Sequence, residues 1–177
     1  MPVGVVAFAV LALLARPAFA APQWNTAIVP GGCLLGTSDE LFERVAFCGS
    51  ARGDVLFLRE NARDFGVGPY ASVGTAAFED FRASLGVSAL LPVIEDFPLV
   101  LSVGPLLRDG RDFGVSGTAF WGLRSYNHYG SYNIAVGLAL GAERTFGERE
   151  VSAITVGLHV DGFVLAIPPL LLFGALK

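Results

Sequence analysis

Lysine is almost absent from this chain of 177 residues, because the one lysine is the last residue, Lys177. Charged residues of all kinds make up 16% of the sequence, and hydrophobic residues make up 53%. A soluble domain usually covers its surface with both lysine and glutamate, so this shortage indicates contact with lipid. The net charge of -4 leaves no basic patch, which argues against nucleic acid as a partner.

Cysteine is equally scarce, with Cys33 and Cys48 as the two in the chain. Both lie in a glycine-rich stretch, and in an exported protein they are expected to form a disulfide bond. Two free buried thiols are the alternative. No histidine stands near them at the spacing of a metal ligand, and no phosphate-binding loop is present, so the sequence predicts no metal and no cofactor.

The first twenty residues carry an apolar run that ends in Ala18-Phe19-Ala20, a small-residue pattern typical of signal-peptide cleavage sites. We therefore predict a signal peptide over 1–20 and a single domain over 21–177. The run is shorter than the roughly 20 residues that a membrane-spanning helix needs. An N-terminal membrane anchor is nevertheless the alternative interpretation.

The stretch FGVSGTAFWGL, from 113 to 123, alternates between large apolar residues and small ones. A period of two predicts a β-strand whose two faces differ. The same pattern recurs between turn-like clusters along most of the chain, which predicts about eight strands joined by short turns. These strands are expected near 26–36, 53–59, 65–77, 81–92, 98–107, 113–124, 131–144 and 150–166.

Neither face of these strands carries the charged residues that cover the outer surface of a water-soluble barrel. The pattern fits the inverse arrangement, in which large apolar side chains meet lipid and small residues line a narrow lumen. Closure would also satisfy every backbone amide within a bilayer. The sequence therefore predicts an all-β fold, an antiparallel up-and-down transmembrane β-barrel of about eight strands. A helical membrane protein is the alternative, because residues 151–176 are almost continuously apolar.

Aromatic residues fall near the predicted turns in two groups, as they do at the two headgroup layers of a membrane. One predicted rim holds Trp24, Phe97, Tyr126, Tyr129 and Tyr132, and the opposite rim holds Phe78, Phe113 and Phe146. The alternative interpretation is that aromatic residues simply flank turns at ordinary strand ends.

A few ionisable side chains fall on the predicted lumen face: Arg82, Arg124, Glu143, His159 and Asp161. His159 and Asp161 lie two residues apart and point the same way, and Glu143 is expected on the neighbouring strand within pairing distance of one of them. A salt-bridged interior is the leading interpretation, because charges in a narrow lumen need partners. A histidine oriented by a carboxylate beside Ser152 or Thr155 would instead suggest a lipid hydrolase.

The signal peptide, the meander of about eight strands and the short turns together resemble the small outer-membrane β-barrels of Gram-negative bacteria, the OmpA-like and OmpX-like transmembrane domains. The resemblance covers roughly residues 24–170 and rests on pattern, not on a diagnostic motif. It implies residence in the outer membrane and contact with membrane lipid, with lipopolysaccharide as a candidate partner and no protein partner indicated. The chain departs from this group at its end, where Phe173 is followed by Gly-Ala-Leu-Lys instead of being the last residue.

Three functions are compatible with this interpretation: a structural or interaction role in the cell envelope, a narrow pore or carrier of a small hydrophobic ligand, and a lipid-modifying enzyme. The first leads, because the visible patterns serve folding in lipid and no convincing catalytic constellation is seen. The fold alone does not choose among the three.

Overall fold

The computed structural model describes residues 21–37, 43–126, 131–146 and 150–166. Eight β-strands follow one another along the chain: β1 (Gln23–Thr37), β2 (Arg44–Leu56), β3 (Gly66–Ala76), β4 (Asp80–Ile94), β5 (Phe97–Arg108), β6 (Asp112–Arg124), β7 (Ala135–Phe146) and β8 (Val151–Asp161). Each strand pairs antiparallel with the next, and β8 pairs with β1, so the sheet closes on itself. The fold is an all-β, closed, eight-stranded antiparallel barrel, as the alternation of residues predicts.

The second strand is longer than predicted. It begins at Arg44, well before the expected start at 53, and Cys48 lies opposite Gly31 of β1. The composition of the glycine-rich segment CGSARG, residues 48–53, is typical of a loop. Its backbone nevertheless pairs with β1 on one side and with β3 on the other. Ladder pairing on both sides therefore outweighs the weak strand preference of glycine.

The last two strands also differ from the prediction at their ends. β7 begins at Ala135 instead of 131, because the chain around Tyr132 pairs with Trp24 of β1. β8 ends at Asp161, and residues 162–166 form a short helical turn. Within the ranges described, no helix is long and apolar enough to cross a membrane. The region from 151 to 161 is strand, so the helical alternative is wrong for this part of the chain.

Large apolar side chains cover the outside of the barrel. Leu85, Val103 and Leu158 are 66%, 59% and 56% exposed, and each comes from a different strand. The opposite face of the strands carries small polar residues, among them the buried Ser88 and Ser102. This is the reverse of a water-soluble barrel and is the distribution expected where the outer wall meets acyl chains.

Facing glycines let adjacent strands approach closely on the lumen side. Gly122 of β6 lies opposite Gly137 of β7. A Cβ atom built on Gly122 would lie 2.4 Å from the Cα atom of Gly137 and 2.4 Å from the carbonyl oxygen of Val136. Both separations are far shorter than a van der Waals contact. Glycine in a strand often marks such a bend or close approach, which a narrow barrel requires.

The predicted disulfide bond is present between Cys33 of β1 and Cys48 of β2. Both residues are buried in a small cluster with Leu35, Ala76 and Ala153. Because the chain has two cysteines and both are bonded, the alternative of two free thiols is wrong.

Replacing both cysteines with serine is expected to lower the free energy of unfolding by about 3 kcal/mol, because the bond closes a loop of 15 residues. Urea unfolding of the detergent-folded barrel, followed by far-UV circular dichroism, measures this change. Reduction of the wild-type protein is the control and should reach the same midpoint. An unchanged midpoint in the double variant would contradict the prediction.

Candidate functional site

The two ends of the barrel differ in how the chain closes them. Because the strands form an up-and-down meander, Gln23 at the start of β1 and Asp161 at the end of β8 lie at the same end, which we call the terminal rim. The other end, which we call the distal rim, holds Thr37 at the end of β1 and the turn between β5 and β6.

The predicted aromatic residues divide between the two rims. Those with rings at least two-fifths exposed are Trp24 and Phe97 at the terminal rim and Phe78, Phe113 and Phe146 at the distal rim. Tyr129 lies outside the described residues. Their division between the rims follows from the meander, because aromatic residues next to alternate turns lie at the same end.

Tyr126 and Tyr132 lie at the predicted rim, but their side chains are less exposed than those of Trp24 and Phe97. Tyr132 is 7% exposed, its ring packs edge-on against Trp24 at 4.6 Å, and its hydroxyl donates to Asp161 Oδ1 at 2.8 Å. Tyr126 is half-buried, and its hydroxyl donates to the carbonyl oxygen of Arg59. Both rings turn inward because the chain before β7 folds across the rim, where their hydroxyl groups find buried acceptors.

Polar side chains fill the lumen at the terminal rim. Each is at most 2% exposed, and we call the group the terminal plug: Gln23, Asn25, Arg59, Asn133 and Asp161. Asn25 Nδ2 donates to Asp161 Oδ2 at 2.7 Å and to the carbonyl oxygen of Asn133 at 2.6 Å. Arg59 Nη1 donates to Gln23 Oε1 at 2.7 Å. Burial lowers the pKa of Arg59 to about 10, so its side chain still carries its charge at neutral pH.

Asp161 connects the plug to the end of the last strand. Its Oδ1 atom accepts hydrogen bonds from the backbone N–H of Phe163 at 2.7 Å and from Tyr132. Its Oδ2 atom accepts from the backbone N–H of Ala135 at 3.0 Å. Asp161 therefore acts as the N-cap of the helical turn at 162–166 and also ties that turn to β7.

Two arginines and one aspartate interact inside the lumen beside the terminal plug, and we call Arg52, Asp54 and Arg124 the central layer. Arg124 binds Asp54 through both terminal nitrogens, at 2.5 and 3.2 Å, and both residues are buried. Arg52 Nε lies 3.8 Å from Asp54 Oδ2. The single carboxylate therefore serves mainly Arg124, in the bidentate geometry that guanidinium groups favour.

The rest of the Arg52 guanidinium reaches across the lumen to hydroxyl groups. Its Nη1 atom donates to Thr118 Oγ1 at 2.6 Å, and its Nη2 atom donates to Ser88 Oγ at 2.8 Å and to Ser102 Oγ. Its Cζ atom lies 4.6 Å from the centre of the Tyr70 ring. Arg52 thus joins β2 to β4, β5 and β6 through the middle of the barrel.

Sequence reasoning missed both Arg52 and Asp54. The predicted strand at 53–59 begins after Arg52. It therefore does not place Arg52 and Asp54 together on the lumen face. A signal was available, because Arg52 and Asp54 have the same parity as Cys48, which was expected to bond inside the fold.

A third charged group lies toward the distal rim. Arg82 Nη1 donates to Glu143 Oε2 at 2.6 Å, and Arg82 Nε lies 3.4 Å from Asp80 Oδ1. Arg108 also forms an ion pair with Asp80. We call Asp80, Arg82, Arg108 and Glu143 the distal ion-pair group.

The predicted pairing of Glu143 with His159 or Asp161 is wrong. In the β7–β8 register Gly137 lies opposite His159, and Glu143 lies opposite Ala153, nearer the distal rim. The predicted lumen set of Arg82, Arg124, Glu143, His159 and Asp161 is therefore split between two ends of the lumen. Parity along one strand does not set the register with its neighbour, so it does not determine which residues of β7 and β8 are adjacent.

His159 is buried between aromatic and amide groups. Its Nε2 atom lies 3.2 Å from Asn25 Oδ1, and its ring centre lies 4.6 Å from that of Phe120. Ser152 lies on the opposite face of β8 from His159, because the two differ in parity along the strand. The structure therefore does not bring Ser152 to the imidazole as a nucleophile.

A cavity of about 90 Å³ lies between the central layer and the distal ion-pair group. Its charged lining residues are Arg52, Arg82 and Glu143, and its hydroxyl-bearing lining includes Ser50 and Thr118. A single water needs roughly 10–15 Å³ of such space, so the cavity holds several waters or one small solute. Among the residues with described positions, no group of three His, Cys, Asp or Glu side chains is placed to hold a metal ion.

The fold and the lumen together define the class of this protein. It is a closed, eight-stranded β-barrel of the transmembrane type, apolar on its outer wall and hydrogen-bonded through its interior.

Comparisons with known proteins do not name a family. No protein-family model matches the chain, and no curated protein sequence matches it. Among solved structures it is similar to one described as "De novo design of transmembrane beta-barrels", with 13% identity and a TM-score of 0.41 over 80% of this chain and 98% of that chain. The class given above rests on the strand pairing and the burial pattern.

Proposed function

We propose that this protein is an outer-membrane β-barrel of a Gram-negative cell envelope, exported by the signal peptide over 1–20, with a structural or interaction role. The observation that carries the proposal is the filled terminal part of the lumen, in which the terminal plug and the adjoining central layer are buried and bonded to one another's neighbours. An interior held by buried hydrogen bonds and ion pairs serves the stability of the barrel and not the passage of solutes.

The filled lumen argues against a pore. Asn133, which is fully buried, lies across the terminal rim because its backbone N–H donates to the carbonyl oxygen of Trp24 at 3.0 Å. Above it, Arg52 reaches from β2 to hydroxyl groups on the opposite wall. A solute that crossed the barrel would have to displace both layers and leave buried charges without partners, which is costly.

The outer surface supports contact with membrane lipid. Phe47 and Phe78 stack at 5.4 Å on the outside of the barrel near the distal rim, and both are exposed. The exposed ion pair of Arg44 with Glu79, at 3.1 Å, belongs to the same end. Stacked aromatic rings beside charged groups suit the boundary between headgroups and acyl chains. An arginine at such a boundary could also bind the phosphates of lipopolysaccharide.

The proposal makes a direct prediction about folding and conduction. The chain from 21 to 177, folded in detergent, should migrate faster on a gel before boiling than after it, and it should have a β-type circular dichroism spectrum. In planar bilayers it should show no stepwise conductance, whereas a porin treated identically gives open channels. Sustained conductance would instead favour the narrow pore, because it requires a continuous aqueous path.

Location is tested separately in cells. Expression of the full chain in a Gram-negative host, followed by separation of inner and outer membranes, should place the protein in the outer-membrane fraction with residues 1–20 removed. A chain that keeps these residues and stays in the inner membrane would contradict the proposal and would support an N-terminal anchor.

A further inference from the structure

We propose that the cavity in the lumen binds a small anion against Arg52. Three charged side chains line this cavity, and two of them, Arg82 and Glu143, pair with each other at 2.6 Å. The third is Arg52, whose nearest carboxylate, on Asp54, is bound bidentately by Arg124. The cavity therefore borders a buried cation that has no carboxylate of its own.

Arg52 shares its nearest carboxylate, that of Asp54, with Arg124. Its hydrogen bonds run to three neutral hydroxyl groups, and its separation of 3.8 Å from Asp54 is too long for a hydrogen bond. A guanidinium group in a low-dielectric interior is stabilised much better by an anion than by neutral acceptors. An anion in the adjacent cavity would supply the missing charge.

Thr118 gives the cavity a suitable donor. Its hydroxyl oxygen accepts a hydrogen bond from Arg52 at 2.6 Å, so its own proton must point elsewhere. Ser88 and Ser102, which also accept from Arg52, lie 2.8 Å apart and bond to each other. In the described part of the chain Thr118 has no such second partner, and it lines the cavity. A hydroxyl polarised by a guanidinium group is a strong donor toward an anion.

A second group also lacks an acceptor at this site. Arg82 Nη2 is buried and has no hydrogen-bond partner among the described residues. Two donors at this site, the Thr118 hydroxyl and Arg82 Nη2, therefore lack an acceptor, which favours a ligand that accepts hydrogen bonds. The volume of about 90 Å³ has room for a small anion such as a halide or a short carboxylate such as formate.

Binding is tested by nuclear magnetic resonance on the detergent-folded barrel from 21 to 177, labelled with ¹⁵N. Sodium chloride and sodium formate are titrated separately at constant ionic strength, with sodium gluconate as the balancing salt because gluconate is much bulkier than either test anion. We expect saturable shifts of the Arg52 Nε–H and the Thr118 amide signals for at least one of the two salts. Formamide, which is similar in size to formate but uncharged, should not compete.

Variants identify the residues that bind. Arg52→Met should abolish saturation, and Thr118→Val should weaken binding about tenfold through the loss of one hydrogen bond to an anion. Arg63→Gln is the matched control, because Arg63 is an exposed loop residue paired with Glu95, and it should bind like the wild type. The melting temperature of the wild type should rise with the bound anion, and that of Arg52→Met should not.

Several outcomes would overturn the inference. Linear shifts spread over exposed arginines with either salt would show charge screening without a site. Saturable binding that survives Arg52→Met would place the anion elsewhere. If Arg52→Met does not fold, Thr118→Val decides, and an unchanged affinity in that variant would reject the proposed site. Binding of formate but not chloride, or the reverse, would support the site and identify the kind of anion.

Discussion

Replacing Asp54 with asparagine should destabilise the barrel by about 3–5 kcal/mol, the cost typical of breaking a buried ion pair from one side. Asp54 is the one carboxylate of the central layer, where it binds Arg124 at 2.5 Å and lies 3.8 Å from Arg52. The substitution keeps the shape of the side chain and removes its charge. It therefore leaves two arginines buried side by side without an anion between them.

Two arginine variants provide a comparison for the loss of unfolding free energy expected in Asp54→Asn. Arg124→Met leaves Asp54 beside Arg52, so one cation and one anion remain, and it should cost less than Asp54→Asn. Arg52→Met keeps the bidentate pair of Asp54 and Arg124 and should cost least. Urea unfolding in lipid vesicles measures all three free energies. Equal losses for the three variants would show that shape, not charge balance, determines stability in the central layer.

Replacing Gly122 with valine should prevent the barrel from folding, with a loss of more than about 4 kcal/mol. Its Cβ atom would lie 2.4 Å from the backbone of Gly137, and backbone atoms cannot move aside as the end of a flexible side chain can. The strands β6 and β7 would have to separate and lose their ladder hydrogen bonds at this point. The measurement is the heat-modifiable gel band, which should disappear.

Gly32→Val is the matched control for this substitution. Gly32 is also in a strand, but it is exposed, and the heavy atom nearest to its added Cβ would be the carbonyl oxygen of Ala46 at 4.0 Å. This variant should fold and keep its gel band. If Gly122→Val folds with wild-type stability, the close approach of β6 and β7 does not constrain the barrel as we expect.

The fold could be predicted from the sequence because most strands of a barrel in lipid follow one rule, in which large apolar residues that face outward alternate with small residues that face the lumen. The stretch around Phe120 shows the rule and its exception, since Phe120 is the one large residue on the small face. In the structure it is 5% exposed and packs on His159 inside the lumen. The rule failed for β2, where the outward positions Gly49, Ala51 and Gly53 are small and the inward position 52 is an arginine.

The lumen contacts could not be predicted in the same way. Arg82 and Glu143 are 61 residues apart in the chain, and Arg124 and Asp54 are 70 apart. Parity indicates which face a side chain occupies, but partners across a barrel also depend on the register of every strand between them. Tyr132 shows the same limit, because its burial follows from a segment that folds across the rim.

The terminal plug includes residues from both extremes of the barrel, as the hydrogen bond between Asn25 and Asp161 joins positions 136 residues apart. Contacts of such long range form only after the intervening strands have been brought together. Until β8 pairs with β1, the carboxylate of Asp161 and the amide of Asn25 must remain hydrated. The lumen is therefore hydrated during assembly, and the terminal plug forms in the same step that closes the barrel, so under the proposed function the loss of conductance coincides with the completion of the fold.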